Sequence, residues 1–277
     1  MVFLQPKSLD EALKILNEKE DIKIIAGGTD LILNIRAKRA SCEYMLDCKC
    51  IPELNILEAD SSGLKIGAAI TCTDIIKSDF VNSEYNILCQ GAHKLGNVTL
   101  RNRAIFVGNI CNASPGGDVI GPALVLEGVL VAASVRGERR IPLKDFFVGP
   151  KRHVLEKDEL ITQIEFPKPK GEGVFLKKQR IKGHDLAQVG VSAFLHENGK
   201  FLLAFTAVGP TPILLENLGS FTKKELAKNK QKIVAEAVNS VSPITDLRAT
   251  KEYRLAMNAY MTEQTIDILS KREEVSA

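Results

Sequence analysis

Short apolar runs broken by glycine, proline and charge mark most of this chain into brief strands and helices. Ser8-Leu9-Asp10-Glu11 is a capping box, so a helix begins there, with Ala12, Leu13 and Leu16 as its apolar stripe. Residues 21–26 read as a strand that stops at Gly27-Gly28, after which Thr29 or Asp30 is placed to cap a helix carrying Leu31, Leu33 and Ile35. Ser61-Ser62-Gly63 separates 54–59 from 64–70 as a hairpin, and Thr73 is expected to cap a short helix. The run 120–126 predicts an apolar helix with Pro122 in its first turn, and 129–135 with 140–143 predicts a second hairpin.

The stretch 167–173 (PKPKGEG) reads as a linker, which puts a domain boundary near residue 170. Beyond it, 189–197 and 201–208 flank Asn198-Gly199, a dipeptide suited to a type I′ hairpin turn. Two amphipathic helices follow over 223–241 and 250–271, separated by Pro243. No internal repeat or low-complexity tract interrupts this order.

Composition narrows the class. The 277 residues are 45% hydrophobic and 26% charged, with a net charge of +3, an ordinary balance for a globular protein and too little charge for a nucleic-acid partner. No run approaches the roughly 18 apolar residues of a membrane span. The first residues lack a signal-peptide pattern, so a cytoplasmic location is expected, with Cys42, Cys48, Cys50, Cys72, Cys89 and Cys111 as reduced thiols. Cys42-x5-Cys48-x-Cys50 has no further ligand at zinc spacing, so no metal site is expected. The basic stretch around Lys168, Lys170, Lys177, Lys178, Arg180 and Lys182 reads as a solvated linker and strand edge, with Lys177 the exception.

Two segments carry the chemistry: IIAGGTDL at 24–31 and VGNICNASPGGD at 107–118. Each reads as a strand running into a glycine turn that opens a helix, leaving amides free to hold an anion such as a diphosphate. Gly108 permits close backbone approach, and Asn109, Asn112, Ser114 and Asp118 add polar side chains. Neither G-x-G-x-x-G nor G-x-x-x-x-G-K-[ST] is present, which argues against a Rossmann or P-loop enzyme.

Together with LITQIEFP at 160–167, FLKKQRIKGHDLAQVGVSA at 175–193, AVGPTP at 207–212 and ITDLRATKEYR at 244–254, these segments give the chain its resemblance to a family. It resembles the FAD-binding (medium) subunit of the molybdenum hydroxylases, the group that includes xanthine dehydrogenase and carbon monoxide dehydrogenase. The resemblance implies an α+β fold. A two-subdomain FAD-binding domain of the vanillyl-alcohol oxidase (PCMH) type over 1–170, split near residue 55, precedes a C-terminal domain over 171–277 with an antiparallel sheet and helices.

By motif position, Ile24, Ile25, Ala26, Gly27, Gly28, Thr29, Asp30 and Leu31 are implied to line the diphosphate and neighbouring groups of FAD. Leu95 and Gly96 fall where the family approaches the flavin ring. Ile105, Asn109, Asn112 and Asp118 extend the second grip, Ile164 lies in a strand near the ring, and Lys177 contacts the flavin from the C-terminal domain. The implied partners are an iron–sulfur subunit and a molybdenum-cofactor subunit, with electrons passing through FAD to NAD+ or another acceptor. No side chain here is required as a catalytic acid or base.

Three positions depart from the family pattern. Val107-Gly108-Asn109 and Val208-Gly209 replace glycine pairs, and His184 stands where a small or acidic residue is common; it is expected to be a surface residue. No cysteine-rich insertion for an additional iron–sulfur cluster is present. Two further readings stay open at this point: a self-contained FAD oxidase or dehydrogenase, and a flavin-free assembly module.

Overall fold

The structure is a computed structural model that describes residues 1–181, 183 and 185–271, so the expectation for His184 and the Lys182 end of the basic stretch lie outside the described residues. It begins with a parallel sheet in which Tyr44–Asp47 lies between Val2–Leu4 and Ile22–Ile25. Parallel neighbours need crossovers, and the helices Leu9–Glu18 and Leu31–Arg36 supply them. The first is capped as its sequence predicts, the Glu11 amide donating to Ser8 Oγ at 3.2 Å, and it buries Ala12, Leu13 and Leu16.

A five-stranded antiparallel sheet follows, in the order Leu57–Asp60, Gly63–Gly67, Leu160–Pro167, Val129–Ser134, Gly137–Pro142. Leu160–Pro167 is its centre, and Leu160, Ile161, Ile164 and Phe166 of that strand are buried. The helices between the two halves of this sheet include Asn86–Lys94, Phe106–Cys111 and Ile120–Val125.

The C-terminal sheet is antiparallel: Gly171–Lys178, Val189–His196, Phe201–Thr206 and Ile213–Leu215. Alternation along its strands divides its side chains between two cores. Phe175, Phe194, Leu202 and Ala204 join the core built from the first 166 residues. Val174, Val191, Ala193, Leu195, Phe201, Leu203 and Phe205 pack instead with Leu226, Ile233, Ile266 and Leu269 of the C-terminal helices. The sheet is therefore a wall shared by both cores, and both faces are dry. Gly121 permits close approach of its helix to this wall: a Cβ there would lie 2.6 Å from Ser192 Oγ.

Several local expectations are corrected. The expected linker at 167–173 is already strand from Gly171, because Gly171 and Gly173 pair with His196 and Phe194 of the neighbouring strand. Thr71, not Thr73, caps the helix Cys72–Lys77, through a reciprocal bond with Asp74. Helix 223–241 is two helices, Lys223–Lys228 and Lys230–Asn239, with Asn229 between them. Phe106–Cys111 is helical, so the second glycine segment is entered from a helix and not from a strand. Asp30 occupies the N-cap position of its helix without a side-chain cap bond.

The shared wall makes a measurable prediction. Phe194→Ala removes a ring that is 3% exposed and is expected to cost about 3–5 kcal/mol in urea unfolding. Ser192 is fully buried and its Oγ has no partner among the described residues, so Ser192→Ala is expected to leave stability unchanged or raise it.

Candidate functional site

The edge strand Ile22–Ile25 ends in a loop whose backbone is largely unsatisfied. Among the described residues, the amides of residues 26–30 donate to no protein acceptor; the loop's carbonyls at Gly28 and Asp30 receive Ile32 and Asn34 of the following helix. Gly28 has φ +70°, which turns consecutive amides toward one side. Ile25 is buried, while Ile24 is 37% exposed and Thr29, Asp30 and Leu31 lie at or near the surface.

This loop is seated on another backbone segment. A Cβ on Gly27 would lie 2.2 Å from the Arg103 carbonyl oxygen and 3.1 Å from the Ile105 nitrogen, so only glycine fits the observed approach. The 103–106 segment is itself anchored, by bonds from Cys72 N to Ala104 O (2.9 Å) and Phe106 N to Ile70 O (3.0 Å). Ile105 is buried and caps the helix Phe106–Cys111, which holds Gly108 and Asn109. Val107 is 1% exposed and packs in the core, so this departure from the family pattern serves as helix packing.

Past the helix, the turn at 112–118 carries the second set of groups. Ala113 sits at φ +45° and its carbonyl accepts from the Lys151 amide at 2.9 Å. The amides of Ser114, Gly116 and Asp118 have no protein acceptor among the described residues. Asn109 Oδ1 and Asp118 Oδ1 are buried acceptors without a donor. Buried acceptors are normally satisfied, so hydroxyl donors from a ligand suit both. Lys151 Nζ lies 4.0 Å from Asp30 Oδ1, an exposed pair that spans the two loops.

The C-terminal wall reaches the second loop through Lys177. Its side chain is 1% exposed, and Nζ donates to Asp118 Oδ2 (2.8 Å), Lys94 O (3.0 Å) and Asp185 O (2.9 Å). Burial pushes the Asp118 carboxyl up to about 6, although Lys177 pulls it down. Leu95 and Gly96 occupy the adjoining turn, where Arg101 Nη1 donates to the Leu95 carbonyl at 3.0 Å and the Gly96 carbonyl at 3.4 Å. Ile164 is fully buried in the core against Gly128.

The carbonyls of Lys94, Arg103 and Asp185 were not singled out from the sequence. Main-chain carbonyls have no residue-type signature, so nothing in the pattern marks them. Burial pushes the thiols of Cys48, Cys72, Cys89 and Cys111 up to about 12, which makes them packing groups at neutral pH. Among the described residues, no group of three or more His, Cys, Asp or Glu could hold a metal ion. Two surface cavities of about 330 Å³ each, one beside Lys170 and His196 and one beside Asn86 and Phe194, include no residue of either loop.

Residues 1–169 match the family described as the FAD binding domain in molybdopterin dehydrogenase. The xanthine dehydrogenase FAD-binding subunit of Escherichia coli O157:H7 is 30% identical over 270 residues, covering 94% of this chain and 92% of that protein. The carbon monoxide dehydrogenase medium chain of Hydrogenophaga pseudoflava is 28% identical over 270 residues, covering 95% and 94%. Among solved structures, a chain of the reconstituted CO dehydrogenase from Oligotropha carboxidovorans superposes with a TM-score of 0.93 at 26% identity, covering 99% of this chain and 98% of that one.

Asp118 gives a pH prediction. Because its folded value lies above the ordinary 3.8, the native state binds more protons than the unfolded state between roughly pH 4 and 6. Stability contributed by the protonated form is present at low pH and is lost as pH rises through that window. Urea midpoints of ligand-free wild type and Asp118→Asn, compared from pH 4 to 7, are expected to converge at the acid end and to favour the variant near neutrality.

Proposed function

This chain belongs to the FAD-binding (medium) subunit family of the molybdenum hydroxylases, and from that premise we infer that it is the electron-transfer flavoprotein of such a complex. FAD is its cofactor. It is an oxidoreductase subunit that does not carry out substrate hydroxylation by itself. No helix among the described residues is long and apolar enough to cross a membrane.

In our reading, electrons arrive singly from an iron–sulfur subunit, which receives them from a molybdenum-cofactor subunit, and leave for NAD+ or another acceptor. Bound between the loops, FAD supplies the exchange between one-electron and two-electron chemistry. The free amides of residues 26–30 beside Gly27's seat on Arg103 are the observation that carries the assignment. They suit the diphosphate. Asn109 Oδ1 and Asp118 Oδ1 are the acceptors we assign to hydroxyls of the cofactor, with Asn112, Ser114 and Gly108 alongside.

Lys177 has all three ammonium donors in use, so it would act on the cofactor as a nearby positive charge and not as a further donor. We place Leu95, Gly96 and Ile164 near the ring on the family pattern, and Ile105 with the second grip. A cytoplasmic setting is part of the proposal, supported by six free thiols of which Cys48, Cys72 and Cys89 are buried.

Asn109→Ala with Asp118→Ala is expected to weaken FAD binding by about tenfold to a hundredfold, read by titration of the flavin-free chain with FAD. Affinity equal to wild type would remove these residues from the site. For the acceptor, anaerobic addition of NAD+ to the dithionite-reduced protein is expected to restore the oxidised flavin spectrum. No reoxidation would exclude NAD+ in favour of another acceptor.

A further inference from the structure

The segment 244–254 is among the motifs that carry the family resemblance, yet none of its residues was assigned a role in the cofactor site. Its last residue, Arg254, is 2% exposed in the first turn of the long helix Lys251–Lys271. Arg254 Nη1 donates to the Gln188 carbonyl at 2.6 Å and to the Ala207 carbonyl at 2.7 Å, and Nη2 donates to Asp246 Oδ1 at 2.7 Å. One rigid guanidinium thus ties the start of strand Val189–His196 to the residue after strand Phe201–Thr206.

The far side of Ala207 meets the cofactor loop. Its amide donates to the Pro115 carbonyl at 2.6 Å, and its Cβ lies 3.5 Å from the position a Cβ on Gly116 would take. Ala207 itself has φ +64°, a left-handed conformation that a non-glycine residue keeps only when its surroundings over-determine it. Those surroundings are Arg254 on its carbonyl and Pro115 on its amide.

Asp246 completes the clamp. It accepts from the backbone of Arg248 and Ala249 and from the Arg248 side chain, while Gln188 Nε2 donates to the Arg248 carbonyl. Burial alone would raise its carboxyl, but these bonds and Arg254 hold it well below the usual range, so it stays an anion facing Arg254.

We propose that Arg254 is a positioning residue for the cofactor: by fixing Ala207 it holds Pro115, and with it the 112–118 turn, in the conformation that receives FAD. This rests on the placement of FAD against that turn argued above. Arg254 reaches the loop through Ala207 and, by its bond to the Gln188 carbonyl, beside Ala187, which also lies against Gly116; its effect on the cofactor is therefore indirect. Lys177 on Asp118 is the second, separate point at which the C-terminal wall holds the same turn.

The test compares full-length Arg254→Lys with Leu269→Ala, a truncation of a fully buried residue in the same helix and away from the clamp. Lysine keeps the charge but cannot reach two carbonyls and a carboxylate in one plane. Three readings are taken below the melting range: FAD dissociation constant, visible circular dichroism of the bound flavin at saturation, and thermal midpoint of the flavin-free chain. Arg254→Lys is expected to weaken FAD roughly three- to thirty-fold and to change the flavin dichroism. Leu269→Ala is expected to lower the midpoint while leaving both flavin readings as in wild type.

If Arg254→Lys leaves affinity and dichroism as in wild type, or moves them no more than Leu269→Ala does, Arg254 is a structural residue only and the inference fails. That result is distinct from failure of the loop placement, in which Asn109→Ala with Asp118→Ala also leaves FAD affinity intact and the inference falls with it. Asp246→Asn, which keeps the shape of the clamp and removes its charge, is expected to move both flavin readings in the same direction. It decides the question in the same terms if Arg254→Lys does not fold.

Discussion

The site depends on one backbone-to-backbone approach, that of Gly27 to the Arg103 carbonyl. Two segments distant in sequence meet there without an intervening side chain. The edge strand Ile22–Ile25 delivers the first loop, and the bonds from Cys72 and Phe106 fix the segment it lands on. A methyl group at position 27 would overlap a carbonyl that has no room to retreat. In the proposed site, the groups offered to the cofactor are set by this contact: amides of 26–30 on one side, Asn109 and Asp118 acceptors on the other.

In the proposed placement of FAD, the C-terminal sheet takes part in the site as well as packing beside it. Because its sheet presents apolar side chains to both cores, strand Gly171–Lys178 cannot shift without disturbing Phe175 on one face and Val174 on the other. That rigidity places Lys177 at Asp118 and Ala207 at Pro115. The second loop is therefore clamped by residues that follow it by some sixty to ninety positions in the chain. Unsatisfied polar groups at 109 and 118 persist in this frame because the surrounding contacts, and not those groups, set the loop's conformation.

Much of this was legible in the sequence, for identifiable reasons. The helix start at Ser8 and the hairpin at Asn198-Gly199 are local signals that appear where expected. Glu11 reaches the Lys7 amide instead of completing the capping box, and of the two turn residues only Gly199 has positive φ, so the turn is not type I′. The glycine pair at 27–28 and the polar run at 109–118 suggest anion and hydroxyl chemistry, and the structure brings the first onto the segment leading into the second. What failed depended on tertiary context. The proline- and glycine-rich stretch at 167–173 looked like a linker because nothing local reveals that Gly171 and Gly173 pair with a neighbouring strand. Helicity at Val107-Gly108-Asn109 was hidden by its glycine and asparagine, both poor helix formers outvoted by the burial of Phe106, Val107 and Ile110. Arg254 looked like one basic residue among many, and only the fold shows it buried against two carbonyls.

The most direct measurement is FAD affinity of Gly27→Ala, by flavin fluorescence titration, with far-ultraviolet circular dichroism confirming that the variant is folded. The account predicts at least about a tenfold loss, because the added methyl group must move the first loop off the 103–105 backbone and break the alignment of its amides. A folded Gly27→Ala chain that binds FAD as tightly as wild type would contradict it, and would place the cofactor somewhere other than the junction of these two loops.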